Sequence, residues 1–203
     1  MSLRRSLPRP VRELVQRALA LRRFDGGVVD LPPPRAKRQH LLRLFRTRGH
    51  VNFVEAGTYL GDTVHFFQPH AQRIISVEID QELWRRASER FAEDPRIEIV
   101  RGDAEEEIPR ILSDLGAPAL VWLDGHYSGE GTSRGQQFEP AVAILERLRA
   151  TRVASGTTIA IDDLRLFGRL PEFPSLAQLT STAGAAWPEA TIYTGLDSLV
   201  IEL

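Results

Sequence analysis

Acidic residues and glycines at the ends of predicted strands give this sequence its main chemical signal. Residues 51–55 form the first predicted strand, and Glu55 at its end is followed by a turn that runs from Gly57 to Gly61 and opens a helical segment. Such a turn brings a ligand against bare backbone and against the start of a helix. The spacing Gly57-x-x-x-Gly61 differs from Gly-x-Gly-x-x-Gly, so the dinucleotide fingerprint is absent.

Two further acids follow the next two predicted strands. Glu78 lies at the end of the second strand, 23 residues beyond Glu55. A carboxylate at that place and distance can accept hydrogen bonds from both hydroxyls of a ribose. Asp103 follows the third strand and lies on the same rim of the sheet, within reach of an exocyclic amine. The three acids together predict a site for an adenosine compound.

With these motifs, residues 51–203 resemble the class I S-adenosylmethionine-dependent methyltransferases, and in particular the small metal-dependent O-methyltransferases such as catechol O-methyltransferase. The likeness lies in residues 55–63, 77–80 and 102–104. It implies that Glu55 and Gly57 lie near the methionine moiety, Glu78 on the ribose and Asp103 near the adenine. The cofactor-binding residues that the resemblance implies are Glu55, Gly57, Thr58, Tyr59, Gly61, Thr63, Glu78, Ile79, Asp103, Ala104 and Asp124. A Rossmann-like sheet that binds another adenosine compound is the alternative.

The resemblance also carries Asp124, Asp162 and Asp163 onto the three metal-ligand positions of that family. These residues end the fourth and fifth predicted strands, which are neighbours in the family's strand order. Carboxylate oxygens suit Mg²⁺, Mn²⁺ or Ca²⁺, and clustered carboxylates repel one another unless a cation lies among them. That cation would lower the pKa of a coordinated substrate hydroxyl. Alternatively, Asp162 or Asp163 caps a turn and Asp124 orients a loop.

The general base departs from the catechol enzyme's pattern. That family has a lysine three residues after its first metal aspartate, where this chain has Tyr127, and the only lysine of the chain is Lys37. His126 is therefore the candidate catalytic base, with Asp124 as the second catalytic candidate, because an imidazole titrates near neutrality. A purely structural hydrogen-bonding role for His126 is the alternative. The departure removes the case for a catechol as the substrate.

Composition excludes several other chemistries. The chain of 203 residues has no cysteine, so it has no disulfide, no thiolate metal site and no cysteine nucleophile. Lys37 is followed by Arg38, so there is no Gly-Lys-Ser/Thr phosphate loop. No apolar run approaches the length of about 20 residues that a membrane span needs. We expect no membrane partner and a cytoplasmic location.

Short apolar runs alternate with helical patterns from residue 51 onward, which predicts an α/β fold. The predicted strands are 51–55, 74–79, 97–100, 119–124, 157–162, 190–193 and 198–202. The predicted helices are 62–68, 81–92, 105–114 and 136–150. We expect a Rossmann-like doubly wound sheet of about seven strands, mostly parallel with an antiparallel C-terminal strand, plus N-terminal helices.

The charge distribution divides the chain into two parts. Residues 1–50 carry 13 basic and three acidic groups, and they show amphipathic helical spacing over 11–19 and again over 36–48. We therefore predict a basic helical N-terminal arm over 1–50 and an S-adenosylmethionine-binding domain over 51–203. The arm could contact nucleic acid, or it could be a solvated helical face. Its first helix could also serve as a dimer contact or a lid.

The function expected from the sequence is S-adenosylmethionine-dependent methylation of a hydroxyl on a small-molecule or sugar-like acceptor, with help from Mg²⁺, Mn²⁺ or Ca²⁺. One alternative is an RNA or other nucleic-acid methyltransferase that uses the arginine-rich arm to bind phosphates. Another is a non-enzymatic module of the same fold that binds a partner through the arm. The partners expected are a small hydroxyl compound and, through the helical arm, a second copy of the chain.

Overall fold

A computed structural model describes residues 31–125 and 138–203, which form a sheet with helices on both faces. The strands are β1 Asn52–Ala56, β2 Arg73–Glu78, β3 Ile97–Arg101, β4 Ala119–Leu123, β5 Thr158–Ile161, β6 Thr191–Gly195 and β7 Ser198–Glu202. The helices are α1 Pro34–Thr47, α2 Asp62–Phe67, α3 Gln81–Phe91, α4 Ala104–Leu115, α5 Ala141–Arg149 and α6 Leu176–Ala186. A single 3₁₀ turn, Leu164–Leu166, follows β5. All seven predicted strands are present within one or two residues of their expected bounds.

The strand order of the sheet is β3-β2-β1-β4-β5-β7-β6. The first five strands of that order are parallel, and β7 is antiparallel to both β5 and β6. The prediction of a doubly wound, mostly parallel sheet with an antiparallel C-terminal strand is confirmed. Strands β2 and β3 lie on one side of β1, whereas β4 and β5 lie on its other side, so the strand order switches between β1 and β4. Ligands of open α/β sheets bind at the carboxyl ends of the strands near such a switch point.

Side chains of the strands alternate between two hydrophobic cores, because successive residues of a strand point to opposite faces. Val54 and Val121 belong to the core under α4, α5 and α6, whereas Phe53 and Leu120 belong to the core under α1, α2 and α3. In the second core Phe53 stacks on Phe67 of α2, with ring centroids 3.9 Å apart. Both faces of the sheet are therefore covered.

Helix α1 packs into the second of these cores. It begins directly after Pro33 and buries Leu41, Leu44 and Phe45 against the sheet. Residues 34–47 thus share a core with the domain predicted over 51–203, although the sequence placed them in the arm. The first amphipathic stretch of that arm, 11–19, lies outside the described residues.

Helix α6 was missed by the sequence analysis. Only Leu179 and Ala183 of this helix are buried. Its sequence of small and polar residues therefore needs no marked apolar stripe, and without one the helix could not be recognised. Its start is fixed by Ser175, whose hydroxyl accepts a hydrogen bond of 3.1 Å from the N–H of Gln178. Among the described residues, no helix is both long and apolar enough to span a membrane.

Replacing Leu41 by alanine should lower the free energy of unfolding by about 2–5 kcal/mol, because this side chain is 1% exposed and its loss leaves a cavity between α1 and the sheet. Urea unfolding measures the change. Arg43→Ala, on the exposed side of the same helix, is the control and should change stability by no more than about 0.5 kcal/mol. Equal stabilities of the two variants would show that α1 is not part of the core.

Candidate active site

Four acids lie at the carboxyl ends of the four central strands and on the same face of the sheet. Successive side chains of a strand alternate between the two faces of the sheet. Each acid lies on the face whose other side chains pack into the core under α1, α2 and α3. The four acids are Glu55 next to the last residue of β1, Glu78 at the end of β2, Asp124 directly after β4 and Asp162 directly after β5. The backbone ladder extends past the strand ends, since Asp124 N–H donates to Ala56 and Asp162 N–H donates to Leu123.

The turn after β1 is a backbone cradle that only glycine can form at its first position. Gly57 has a φ of +95°, and a Cβ added there would lie 2.5 Å from the carbonyl oxygen of Asp124. Gly61 has a φ of +75° and precedes α2, where a Cβ would lie 2.7 Å from the ring of Phe91. The predicted glycine turn is therefore present, and it is packed directly against the residue that follows β4.

Glu55 is buried beneath this turn and is bonded to neutral hydroxyl groups. The Ser76 hydroxyl donates a 2.8 Å hydrogen bond to Glu55 Oε2, and the hydroxyls of Thr58 and Ser76 lie 2.7 Å apart. Thr63 also hydrogen-bonds to Glu55. Burial raises the pKa of Glu55 to about 8 against the opposing effect of these bonds, so its carboxyl group is largely protonated at neutral pH.

Glu78 is fixed by two backbone N–H groups. Tyr59 of the glycine turn donates a 2.7 Å hydrogen bond to Glu78 Oε2, and Asp80 donates a 2.9 Å bond to Oε1. Burial raises the pKa of Glu78, while these two bonds and one involving the backbone of Ile79 act in the opposite direction. Each carboxylate oxygen has two lone pairs, so the bonds that orient Glu78 leave it able to accept from a ligand hydroxyl.

Two of the predicted cofactor residues have local structural roles. Asp103 caps α4, accepting a 3.0 Å hydrogen bond from the N–H of Glu105, and Ala104 is the first residue of that helix. Thr58 is buried in the hydroxyl network beside Ser76. Direct contact of these residues with a cofactor stays a prediction, as do the cofactor contacts assigned to the other residues.

Asp124, Asp162 and Asp163 converge, as the sequence predicts for a cation site. One carboxylate oxygen from each residue lies within 4.8 Å of the other two. Asp163 adopts the left-handed conformation, with a φ of +55°, which turns the chain sharply after β5. Asp162 Oδ1 is buried and has no hydrogen-bond partner within the described part of the chain.

Lys37 of α1 places its ammonium group in this acidic cluster. Its Nζ atom donates a 2.6 Å hydrogen bond to Asp162 Oδ2 and a 2.5 Å bond to Asp163 Oδ1. The three side chains are 14%, 2% and 9% exposed, respectively, so the ion pairs are largely shielded from water. The sequence analysis missed this residue. The sequence feature that could have indicated it is its position four residues before Leu41, which places Lys37 on the buried stripe of α1.

The charges of the cluster shift the pKa values of its three aspartates differently. Burial and the charge of Asp162 raise the pKa of Asp124 well above its ordinary value. Burial raises the pKa of Asp162 to about 6, although Lys37 opposes this shift. Burial would also raise the pKa of Asp163, but hydrogen bonds from Arg165 and Lys37 outweigh it and lower that pKa. The Arg165 Nη1–Asp163 distance is 2.6 Å, and the same guanidinium group binds Asp197 in the β6–β7 turn.

Lys37 occupies part of the space that a divalent metal in this cluster would use. Magnesium and calcium bind carboxylate oxygens at about 2.0–2.6 Å, and the Lys37 ammonium group lies next to one oxygen of Asp162 and one of Asp163. A metal ion that binds these two oxygens would compete with Lys37. Metal binding by Asp124, Asp162 and Asp163 stays a prediction.

A further acid near the cluster, Glu139, also escaped the sequence analysis. It is buried just before α5 and accepts a 2.9 Å hydrogen bond from the N–H of Ala141. Burial raises its pKa to about 7, and the charges of Asp163 and Asp162 add to the shift. Since Glu139 lies within a segment of helical pattern beside Pro140, nothing in the sequence marks it as special. The predicted base His126 lies outside the described residues.

Several solved structures that resemble this chain are methyltransferases. The O-methyltransferase TomG of Streptomyces achromogenes, involved in tomaymycin synthesis and solved with S-adenosylmethionine, aligns at a TM-score of 0.56 and 19% identity over 93% of this chain and 87% of TomG. An O-methyltransferase of Bacillus cereus in complex with S-adenosylhomocysteine gives 0.57 and 16% over 83% and 80%. The N-methyltransferase NodS of Bradyrhizobium japonicum, also solved with S-adenosylhomocysteine, gives 0.55 and 16% over 85% and 87%.

These similarities establish that the chain has the class I methyltransferase fold. Sequence comparison adds nothing to this, because no family model and no curated protein sequence matches the chain. The similar structures include both O- and N-methyltransferases, so the fold does not determine the acceptor atom.

Glu55→Gln should flatten the dependence of stability on pH. The folded protein binds a proton at Glu55 up to about pH 8, whereas the unfolded chain releases it near the ordinary pKa of 4.5. Wild-type stability therefore falls as pH rises between these values, by about 1.4 kcal/mol per pH unit at most from this group. Glutamine cannot ionise, so the variant should lack this loss.

Urea unfolding of both proteins from about pH 5 to about pH 9 measures the effect. The neighbouring charges of Glu78, Arg38 and Asp124 are present in both proteins, so the difference between the two curves isolates Glu55. Parallel curves would show that Glu55 ionises normally in the folded state.

Proposed function

We propose that this protein is an S-adenosylmethionine-dependent methyltransferase that methylates a hydroxyl group of a small-molecule or sugar-like acceptor. The observation that carries the proposal is the 2.7 Å hydrogen bond from the N–H of Tyr59 to Glu78. It joins the glycine turn after β1 to the acid at the end of β2, so two separate sequence motifs form one preorganised adenosine site.

The residues around the glycine turn suit this cofactor. The close approach of Gly57 to the backbone of Asp124 leaves no room for a side chain on that side of the turn, so a ligand meets bare backbone. Glu78 would accept hydrogen bonds from the ribose hydroxyls, and Glu55 would lie below the methionine moiety. When bound, the cofactor would supply a methyl group on a positively charged sulfur, and that sulfur would be the leaving group.

The acidic cluster lies beside the same turn and suits an acceptor site. Gly57 touches the backbone of Asp124, so the donor and acceptor halves of the site meet at these two residues. Asp124 has a raised pKa, which makes its carboxylate a better proton acceptor than an exposed aspartate. In the proposed reaction Asp124 or His126 would take the proton of the acceptor hydroxyl, whose oxygen could then accept the methyl group that the cofactor supplies.

The finer parts of the sequence-based expectation stay predictions. Assistance by Mg²⁺, Mn²⁺ or Ca²⁺ would compete with Lys37 for two of the carboxylate oxygens of the cluster. Methylation of RNA through the arginine-rich arm of residues 1–50 stays a prediction, and the structure describes only residues 31–50 of that arm. The non-enzymatic module, the cytoplasmic location and the homodimer likewise stay predictions.

Glu78→Gln should weaken binding of S-adenosylhomocysteine about 10–100-fold, because it replaces charged hydrogen bonds to a ribose by weaker neutral ones. Calorimetric titration measures the affinity, with NAD as the control ligand. Glu82→Gln removes an exposed carboxylate from the next helix and should leave the affinity unchanged. If the wild-type chain binds no S-adenosylhomocysteine, the proposed function is wrong.

Asp124→Asn should lower methyl transfer to hydroxyl compounds by about 100-fold or more, because the amide cannot accept the acceptor's proton. Affinity for S-adenosylhomocysteine should change less than about threefold, since the backbone contact to Gly57 is retained. Initial rates and calorimetry on the same samples measure both quantities. Asp114→Asn, at an exposed site on α4, provides the matched control. Unaltered turnover in Asp124→Asn would remove Asp124 from the reaction.

A further inference from the structure

We propose that the ammonium group of Lys37 is the resident cation of the acidic cluster and binds the acceptor hydroxyl, so that methyl transfer needs no divalent metal. This inference rests on the proposed function for the role of the acceptor. The position of the cation itself rests on the cluster alone.

The Lys37 ammonium group satisfies the cluster as a bound cation would. It bridges Asp162 and Asp163 at 2.6 and 2.5 Å, and both carboxylates are almost fully buried. Buried carboxylates that lie this close together need a positive charge among them. Arg165 supplies a second positive charge to Asp163 from the outer side and is itself held by Asp197. Lys37 is the cation that both aspartates share.

The residue type is informative because it is exceptional in this chain. Lys37 is the only lysine among 26 basic residues, all the others being arginines. Guanidinium is a broad planar fork, whereas ammonium is a compact point charge that can donate hydrogen bonds to carboxylate oxygens in several directions. A point charge is what three converging carboxylates require. Arginine at this position would not fit between Asp162 and Asp163 in the same way.

The packing of α1 keeps Lys37 in place. Leu41, Leu44 and Phe45 anchor the helix to the sheet on the same stripe of the helix surface that carries Lys37. Because the backbone is held there, a metal ion that binds Asp162 Oδ2 or Asp163 Oδ1 would have to displace a lysine side chain that is 14% exposed. At least one of its two ion pairs would be lost. Such a metal competes with a cation that the fold holds in position.

The hydrogen-bond inventory of the cluster favours a hydroxyl as its ligand. An ammonium group has three N–H donors, and Asp162 and Asp163 use two of them. Asp162 Oδ1 is buried without a donor among the described residues. A hydroxyl can accept from Lys37 and donate to a buried carboxylate oxygen, whereas a carboxylate has no proton to donate and an ammonium has no lone pair to offer. Lys37 also stabilises the negative charge that develops on the acceptor oxygen as its proton leaves.

Manganese titration of the full chain tests the cation assignment without using activity. Chelator-treated wild-type protein should show no saturable heat up to about 1 mM Mn²⁺, a concentration that would load a weak divalent site. Lys37→Met has a side chain of similar length without the charge, so Asp124 and Asp162 lose the charge of Lys37 while Asp163 keeps Arg165, and one Mn²⁺ site should appear. Adding Asp162→Asn to that variant should abolish the new site.

Arg35→Met is the matched control, because it removes a positive charge from the exposed side of the first turn of α1. It should behave like the wild type. Saturable Mn²⁺ binding to the wild type that Asp162→Asn abolishes would overturn the assignment, and so would the absence of a site in folded Lys37→Met. If Lys37→Met does not fold, as judged by thermal melting, Lys37→Gln takes its place with the same expected result.

Affinity for S-adenosylhomocysteine, measured on the same samples, separates this inference from the proposed function. It should agree within about threefold among wild type, Lys37→Met and Arg35→Met, while methyl transfer by Lys37→Met falls about 100-fold and wild-type turnover is insensitive to chelator. Chelator-sensitive wild-type turnover would overturn the metal-free reaction. Failure of the wild type to bind S-adenosylhomocysteine would refute the proposed function and leave the manganese result valid.

Discussion

Burial of carboxyl groups at the carboxyl edge of a parallel sheet is the constraint on which the rest of the site depends. A buried charge is costly unless it is neutralised or hydrogen-bonded, and here acids end β1 and β2 and directly follow β4 and β5 on the same face. Glu55 accepts a hydrogen bond from Ser76, Glu78 from Tyr59 and Asp162 from Lys37. Through these bonds β2, the glycine turn and helix α1 meet at this edge.

The two halves of the edge solve the problem in different ways. Glu55 and Glu78 accept hydrogen bonds from neutral hydroxyl and backbone N–H groups, and these bonds oppose, without cancelling, the rise that burial causes in the pKa values of both carboxyl groups. Asp162 and Asp163 are bonded to Lys37, and Asp163 also to Arg165. The half with Glu55 and Glu78 is thus preorganised for a ligand that offers hydroxyl groups, while the half with Asp162 and Asp163 pairs negative with positive charges. In the proposed function the first half would bind the cofactor and the second would ionise the acceptor.

The elements and the glycine turn could be predicted from the sequence because their signals are local. Short apolar runs between helical patterns located all seven strands. The direction of a strand is then enough to place an acid that follows it at the carboxyl edge of the sheet. Lys37 could not be placed in this way. Its partners Asp162 and Asp163 are separated from it by 125 and 126 residues, and a lysine on an arginine-rich helix resembles a surface residue until the packing of α1 is known. Glu139 and helix α6 were missed because neither has a distinctive local pattern.

The position of β7 has a consequence for how the protein is made. Strand β7 inserts between β5 and β6, and the turn that leads into it supplies Asp197, which binds the N–H of Leu164 through its backbone and Arg165 through its side chain. Chains are synthesised from the amino terminus, so β5 keeps an open edge until β7 has been made. The acidic loop after β5 cannot take its final shape before then. The acidic cluster is therefore completed only after β7 has joined the sheet, and a nascent chain that stops short of β7 has both an unpaired strand and unmatched buried charge.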